Sequence, residues 1–258
     1  MAENNTSFWD HLDVLRSVLL KSLCAWVIGA IVAFCLKDWI FQFLFAPTNS
    51  DFVLYRALCH LSNLTGWSGL CMEEVQVSFL NTELTAQFMM HLQVSFWGGL
   101  LFALPFILYW LYGFIAPALY EKEKKYGITL IAVSLSLFSA GIVVCYFMIF
   151  PISFRFLVEY QVVDFVVNQI SLTSYMSLFL TLSLLMGFTF EIPILTWLLA
   201  KMGVVDAEQL RKFRKHVFVV LLILAAVITP TGDPFTLMLV TLPIYLLYEV
   251  SIFIIRTR

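Results

Sequence analysis

The chain has 258 residues, of which 61% are hydrophobic and only 12% charged, with a formal net charge of −2. Apolar runs of spanning length recur along it, a composition that excludes an ordinary soluble domain and defines an integral membrane protein. The near-neutral balance also argues against a nucleic-acid partner, because phosphate binding by counterion release needs a basic face.

In chain order, the first segment places Phe8, Leu12, Leu15 and Leu19 at three- and four-residue spacing and leaves Asp10, Asp13 and Arg16 for a polar side. Residues 1–17 therefore read as a cytoplasmic amphipathic helix on the membrane interface, or as an ordinary anchor with a solvated face. Six apolar windows follow: Val18–Leu36, Phe88–Tyr112, Ile128–Ile149, Tyr175–Ala200, Val217–Ile228 and Leu237–Ile255. The first lacks a small-residue cleavage pattern and reads as a retained helix. Together they predict an all-α integral membrane protein built as a single membrane domain over 1–258, with polar connections at 37–86, 113–126, 201–215 and 229–236.

Alternating six spans puts Arg16, Lys21, Lys122, Lys124, Lys125, Lys201, Arg211, Lys212, Arg214, Lys215, Arg256 and Arg258 on the side of the N-terminus, leaving Lys37, Arg56 and Arg155 opposite. By the positive-inside rule both termini are cytoplasmic, 113–126 and 201–215 are cytoplasmic loops, and 37–86 is an extracytoplasmic cap. That cap holds Cys59 and Cys71, a candidate disulfide whose loop closure is worth roughly 3 kcal/mol if the geometry allows the bond. Cys24, Cys35 and Cys145 fall in or near spans and read as packing residues. There is no CxxC or Cys/His ligand spacing, so the sequence offers neither a metal site nor a cofactor site.

The fourth window carries Glu191, a lone carboxylate near mid-depth of a lipid-spanning helix. A charge there costs about 3 kcal/mol or more, and by default marks a functional interior. It either lines a water-filled face and meets a partner helix or makes a hydrogen bond within the bundle. The fifth window is physically short: only thirteen residues separate His216 from Pro230, about 20 Å of helix against a hydrocarbon core of about 30 Å. Either the fifth and sixth helices form a short hairpin in a locally thinned bilayer, or the segment is re-entrant. The turn at 229–236 contains Pro230, Gly232 and Pro234, and Asp233 is placed to cap the last helix. Glu249, near the other end of that helix, is a second intramembrane contact or snorkels to the interface.

Several pieces, taken in order, carry a resemblance that covers nearly the whole chain. His11-Leu-Asp-Val-Leu-Arg16 before an apolar span, Phe114-Ile-Ala-Pro-Ala-Leu-Tyr120 with Glu123 beyond it, Phe190-Glu191-Ile-Pro193, Thr229-Pro230 with Asp233, and Pro243 with Tyr248-Glu249 together resemble the TatC family. The resemblance implies a glove-shaped, six-helix receptor of the twin-arginine translocase in the bacterial inner membrane. Such a receptor binds twin-arginine signal peptides of folded passengers and works with TatA- and TatB-type single-span partners, driven by the proton-motive force. Its remaining contacts would be membrane lipid and further copies in a homo-oligomer.

Guanidinium groups pair with carboxylates through directional charge-assisted hydrogen bonds, and by resemblance Glu123 is the leading acceptor, with Glu121 beside it and Phe114 at the same surface. Phe114 lines the site or merely anchors the helix end. The family's second carboxylate falls where this chain has Val14. Moving an acid by one residue turns it about 100° around a helix, so Asp13 does not simply replace it, and Asp10, one turn before Val14, is the other compensator. Trp110 stands where the family often has a glutamine. Pro47, after the first span, and Pro117 are structural. The competing class is a secondary transporter of a small solute, although the internal repeats such folds usually show are not found here. An intramembrane hydrolase lacks support, with no HExxH or GxSxG and with His11, His60, His91 and His216 scattered.

Overall fold

A computed structural model of the chain describes residues 8–49, 51–65, 78–115, 127–161, 163, 168–228 and 233–256. These are almost entirely helical: α1 (Phe8–Cys35), α2 (Lys37–Phe45), a 3-10 turn (Ala46–Thr48), α3 (Val53–Thr65), α4 (Ala86–Ile115), α5 (Gly127–Val144), a π-helical turn (Cys145–Ile149), α6 (Phe150–Glu159), α7 (Leu172–Thr189), α8 (Ile192–Lys201), α9 (Ala207–Ile228) and α10 (Pro234–Arg256). Two short strands, β1 (Phe79–Leu80) and β2 (Ile170–Ser171), pair in parallel.

Among the described residues, five helical stretches are long and apolar enough to cross a membrane: Leu12–Cys35, Ala86–Phe114, Gly127–Glu159, Leu172–Lys201 and Pro234–Ile255. They coincide with five of the six apolar windows. The remaining window, the fifth, Val217–Ile228, forms the second half of α9. That helix begins at Ala207, so 207–215, expected as part of a loop, is helical. Its first half carries Glu208, Arg211, Lys212, Arg214 and Lys215, which removes α9 from the spanning set by composition.

Two further expectations are corrected. The N-terminal segment does not turn into the first span as a separate interfacial helix; α1 runs unbroken from Phe8 to Cys35, because no Pro or Gly interrupts residues 8–28. The fourth window is not one continuous helix. Pro193 lacks an N–H, and its ring clashes with the carbonyl four residues back at Thr189, so α7 stops at Thr189 and α8 starts at Ile192.

The chain divides into two compact units, one of residues 1–37 and 91–136, the other of 38–90 and 137–258. In the first, α1 and α4 approach backbone to backbone. A Cβ on Gly99 would lie 2.3 Å from the Ala30 nitrogen, and one on Gly29 would lie 2.7 Å from the Gly99 carbonyl oxygen. Small residues at a crossing let helices gain contact where lipid supplies no hydrophobic drive. Trp26 Nε1 donates to the Phe96 carbonyl at 2.8 Å, and Phe34 stacks on His91 with centroids 3.9 Å apart.

The second unit is held by large side chains. Tyr175, 1% exposed, has the rings of Phe45, Phe79, Phe150 and Phe154 with centroids between 5.0 and 5.2 Å away, and its hydroxyl donates to the Leu44 carbonyl at 2.7 Å. It ties α7 to α6, to β1 and to the end of α2. Gly141 and Gly187 let α5 and α7 close up below it: a Cβ on Gly141 would meet the Met186 carbonyl oxygen at 2.5 Å, and one on Gly187 the Phe138 ring at 2.8 Å. Helix α10 packs on both α8 and α9.

Candidate functional site

Of the residues expected to bind a basic peptide motif, Asp13 and Arg16 lie exposed on α1, one helical turn apart, beside an exposed Val14. Phe114 is half-buried in the last turn of α4. Glu121, Glu123, Pro117 and the side chain of Asp10 lie outside the described residues.

Glu191 occupies the break between α7 and α8. Its N–H donates to the Phe188 carbonyl at 3.1 Å, a tightened turn, while its own carbonyl accepts from Ile194 and Leu195 at 3.1 and 3.0 Å. The side chain is half-buried, with Oε1 shielded from solvent. A carboxylate at a helix break stands beside the first turn of α8, where backbone N–H groups and the positive end of the macrodipole favour negative charge. The break is a consequence of Pro193, two residues on, so the Glu-Ile-Pro spacing itself positions the acid.

Glu249 has a partner that sequence reasoning missed. Its Oε2 lies 2.6 Å from Arg214 Nη2, and Tyr245 donates its hydroxyl to Oε1 at 3.1 Å. One turn along the same seam, Tyr248 donates to the Leu210 carbonyl at 2.7 Å, and Phe218 meets the Tyr245 ring edge-on at 5.4 Å. A signal was available, since Arg214 lies fourteen residues before Ile228 and Glu249 fifteen after Pro234, level with one another across an antiparallel hairpin. With Arg214 and Glu249 still 43% and 31% exposed, the pair is partly screened and sets the register of α9 on α10 more than it stabilises.

At the other end of α10, Asp233 accepts from the Thr236 N–H at 2.6 Å, the N-cap that its place before Pro234 predicts. The 37–86 connection holds a second polar group that sequence reasoning passed over. The Tyr55 hydroxyl on α3 donates to the Pro47 and Pro151 carbonyls at 3.2 and 3.4 Å. The Arg155 guanidinium lies 5.5 Å from the Tyr55 ring centroid and is ion-paired with Glu159. Burial pushes the Tyr55 phenol up to about 12; the Arg155 charge opposes this and Glu159 adds to it. Pro47, fully buried in its 3-10 turn, thus supplies an acceptor as well as a chain stop. Cys59 is disulfide-bonded and Cys24, Cys35 and Cys145 are free thiols; Cys71 lies outside the described residues. Among the described residues no His, Cys, Asp or Glu cluster could hold a metal ion.

Five helical stretches long and apolar enough to cross a membrane, one of them broken at a half-buried carboxylate, mark a multi-pass membrane protein. The model of the family "Sec-independent protein translocase protein (TatC)" matches residues 10–243. The chain is 34% identical over 255 residues to the Sec-independent protein translocase protein TatC of Blattabacterium sp. subsp. Periplaneta americana (98% of this chain, 96% of the relative). It is 32% identical over 256 residues to that of Carboxydothermus hydrogenoformans (99% and 95%). A crystal structure of a twin-arginine translocase receptor, TatC, superposes with a TM-score of 0.77 at 32% identity, covering 96% of this chain and all of that one. The chain belongs to the TatC family of Sec-independent protein translocases.

Proposed function

We propose that this protein is the receptor subunit that binds twin-arginine signal peptides and passes folded proteins across a bacterial inner membrane, with TatA- and TatB-type partners and the proton-motive force. The observation that carries this reading is the whole-chain likeness to a solved twin-arginine translocase receptor. In this reading both termini are cytoplasmic, as the Lys and Arg distribution favours, and six helices cross the membrane in a glove-like arrangement. The second half of α9 then spans as the short partner of α10, and a locally thinned bilayer meets its length. The Arg214 and Glu249 pair supports such a hairpin, because it sits where the charged half of α9 would leave the lipid.

The peptide's arginines are taken up by Glu123, assisted by Glu121, and by Asp13 or Asp10 in place of the family glutamate that Val14 replaces; Arg16 and Phe114 border the same surface. Exposure of Asp13 on α1 supports its availability. Glu191 offers a polar contact to an inserting signal or a partner helix, and the cap is closed by a Cys59–Cys71 disulfide. Photocrosslinkers at positions 123, 13 and 10, in membranes, test the receptor reading against a twin-arginine peptide and its twin-lysine counterpart. Adducts from position 123 that disappear with the lysine peptide are expected, and a second adduct from position 10 or 13 identifies the compensating acid. Equal labelling by both peptides would overturn the arginine-receptor reading.

A further inference from the structure

The close crossing of α1 and α4 at Gly29 and Gly99 leaves two crevices, one on each side of it. One, of about 520 Å³, lies between Val27–Phe34 on α1 and Leu92–Phe96 on α4. The other, of about 510 Å³, lies between Leu20–Ile28 on α1 and Phe102, Phe106 and Trp110 on α4. The two are nearly equal in size and both are walled by apolar side chains. They differ in one respect: Lys21 lines the second, whereas the polar side chains of the first are the neutral Gln93 and Ser95.

Lys21 is exposed and, among the described residues, forms no ion pair. It lies fourteen residues before Cys35 at the far end of the span, about 21 Å along the helix, which is short of the hydrocarbon thickness of about 30 Å. Its ammonium must therefore snorkel toward the nearer headgroup layer, drawing its stem along the mouth of the crevice. The anion waiting at that level is a lipid phosphate. Basic pockets between membrane helices recognise anionic headgroups in this way, and Trp110 at the same end supplies the amphipathic ring favoured at a membrane interface.

We propose that the Lys21 crevice is a binding site for one anionic glycerophospholipid, with an acyl chain laid against Ala25, Ile28, Phe102 and Phe106 and the phosphate paired to Lys21. The opposite crevice takes an acyl chain with no headgroup preference and serves as the internal control. This site is independent of signal-peptide recognition and stands or falls separately from it.

The test uses the full chain in phosphatidylcholine nanodiscs containing a small fraction of either phosphatidylglycerol or phosphatidylcholine bearing the same diazirine-labelled acyl chain, with adducts mapped by peptide mass spectrometry. In the wild type, phosphatidylglycerol is expected to give about a fivefold excess of adducts over phosphatidylcholine on Leu20–Ala25 and Phe102–Trp110, against a ratio near one on Leu92–Phe96. Lys21→Gln should bring the first ratio to about one while leaving total adducts similar, and Lys21→Arg should preserve it. Ala25→Trp, which fills the crevice, should remove adducts of both probes there without changing those on Leu92–Phe96, a check that the fold persists. A wild-type ratio near one, or an excess that survives Lys21→Gln, overturns the proposal. So does a crevice unlabelled by either lipid, which would mark it as the seat of a partner helix.

Discussion

The first and fourth candidate spans are both strongly apolar, yet within an 18-residue apolar stretch of each, 11% of the first is buried and 56% of the fourth. Helix α7 buries Tyr175, Phe179, Leu182 and Met186, positions spaced by four, three and four residues, so that one face of large side chains interlocks with α5, α6, the end of α2 and β1. Helix α1 buries Gly29 and Ala33, one turn apart, and meets α4 through its backbone while leaving Leu19, Leu23 and Ile31 exposed. Lipid tails are as apolar as leucine, so hydropathy alone cannot choose between these fates. What separates them is shape: bulky residues at helical spacing build a protein interior, and small ones build a narrow seam with open flanks.

Breaking the interlocked region should produce the largest effect. Tyr175→Ala removes a ring surrounded by four others, and about 3–5 kcal/mol of stability is the expected loss, read as a drop in thermal unfolding temperature in detergent. Tyr175→Phe keeps the ring and leaves the buried Leu44 carbonyl without its donor, for about 1–3 kcal/mol. The narrow seam is tested by Gly99→Val, whose side chain would have to occupy the position of the Ala30 backbone. A cost of about 1–3 kcal/mol is expected, and hydrogen exchange should localise the lost protection to α1 and α4. If α7 loses protection equally, the two kinds of packing are not separable.

Smaller still is the register pair. Glu249→Gln should cost about 1 kcal/mol or less because the ions are partly exposed, and a double-mutant cycle with Arg214→Gln should return a coupling of that size. An absent coupling would show that the tyrosines alone align α9 with α10. At the bottom of the scale, Leu19→Ala and Leu23→Ala on the open face of α1 should each change stability by less than about 0.5 kcal/mol; a large loss from either would mean that the face is covered by protein.

Much of the fold is legible in the sequence. The five long apolar helices follow from local run length, and the N-cap at Asp233 follows from an acid placed before proline. The motifs running from His11 to Glu249 point to the family across nearly the entire chain. The unbroken course of α1 is obscured by its amphipathic start, although the absence of any Pro or Gly before Gly29 decides the matter. The break at Glu191 is announced by Pro193, but a proline at the start of a helix and one inside it look alike until the preceding residues are seen to stop.

Chemistry that depends on neighbours along the chain is therefore readable from the sequence alone: membrane class, the apolar helices and the N-cap at Asp233. Partners distant in sequence are not. Arg214 for Glu249, the Pro151 carbonyl for Tyr55 and the Leu44 carbonyl for Tyr175 lie 35, 96 and 131 residues away. An apolar helix in lipid also carries no hydrophobic mark of which face meets protein. That choice rests on shape complementarity between helices, a property no single segment possesses.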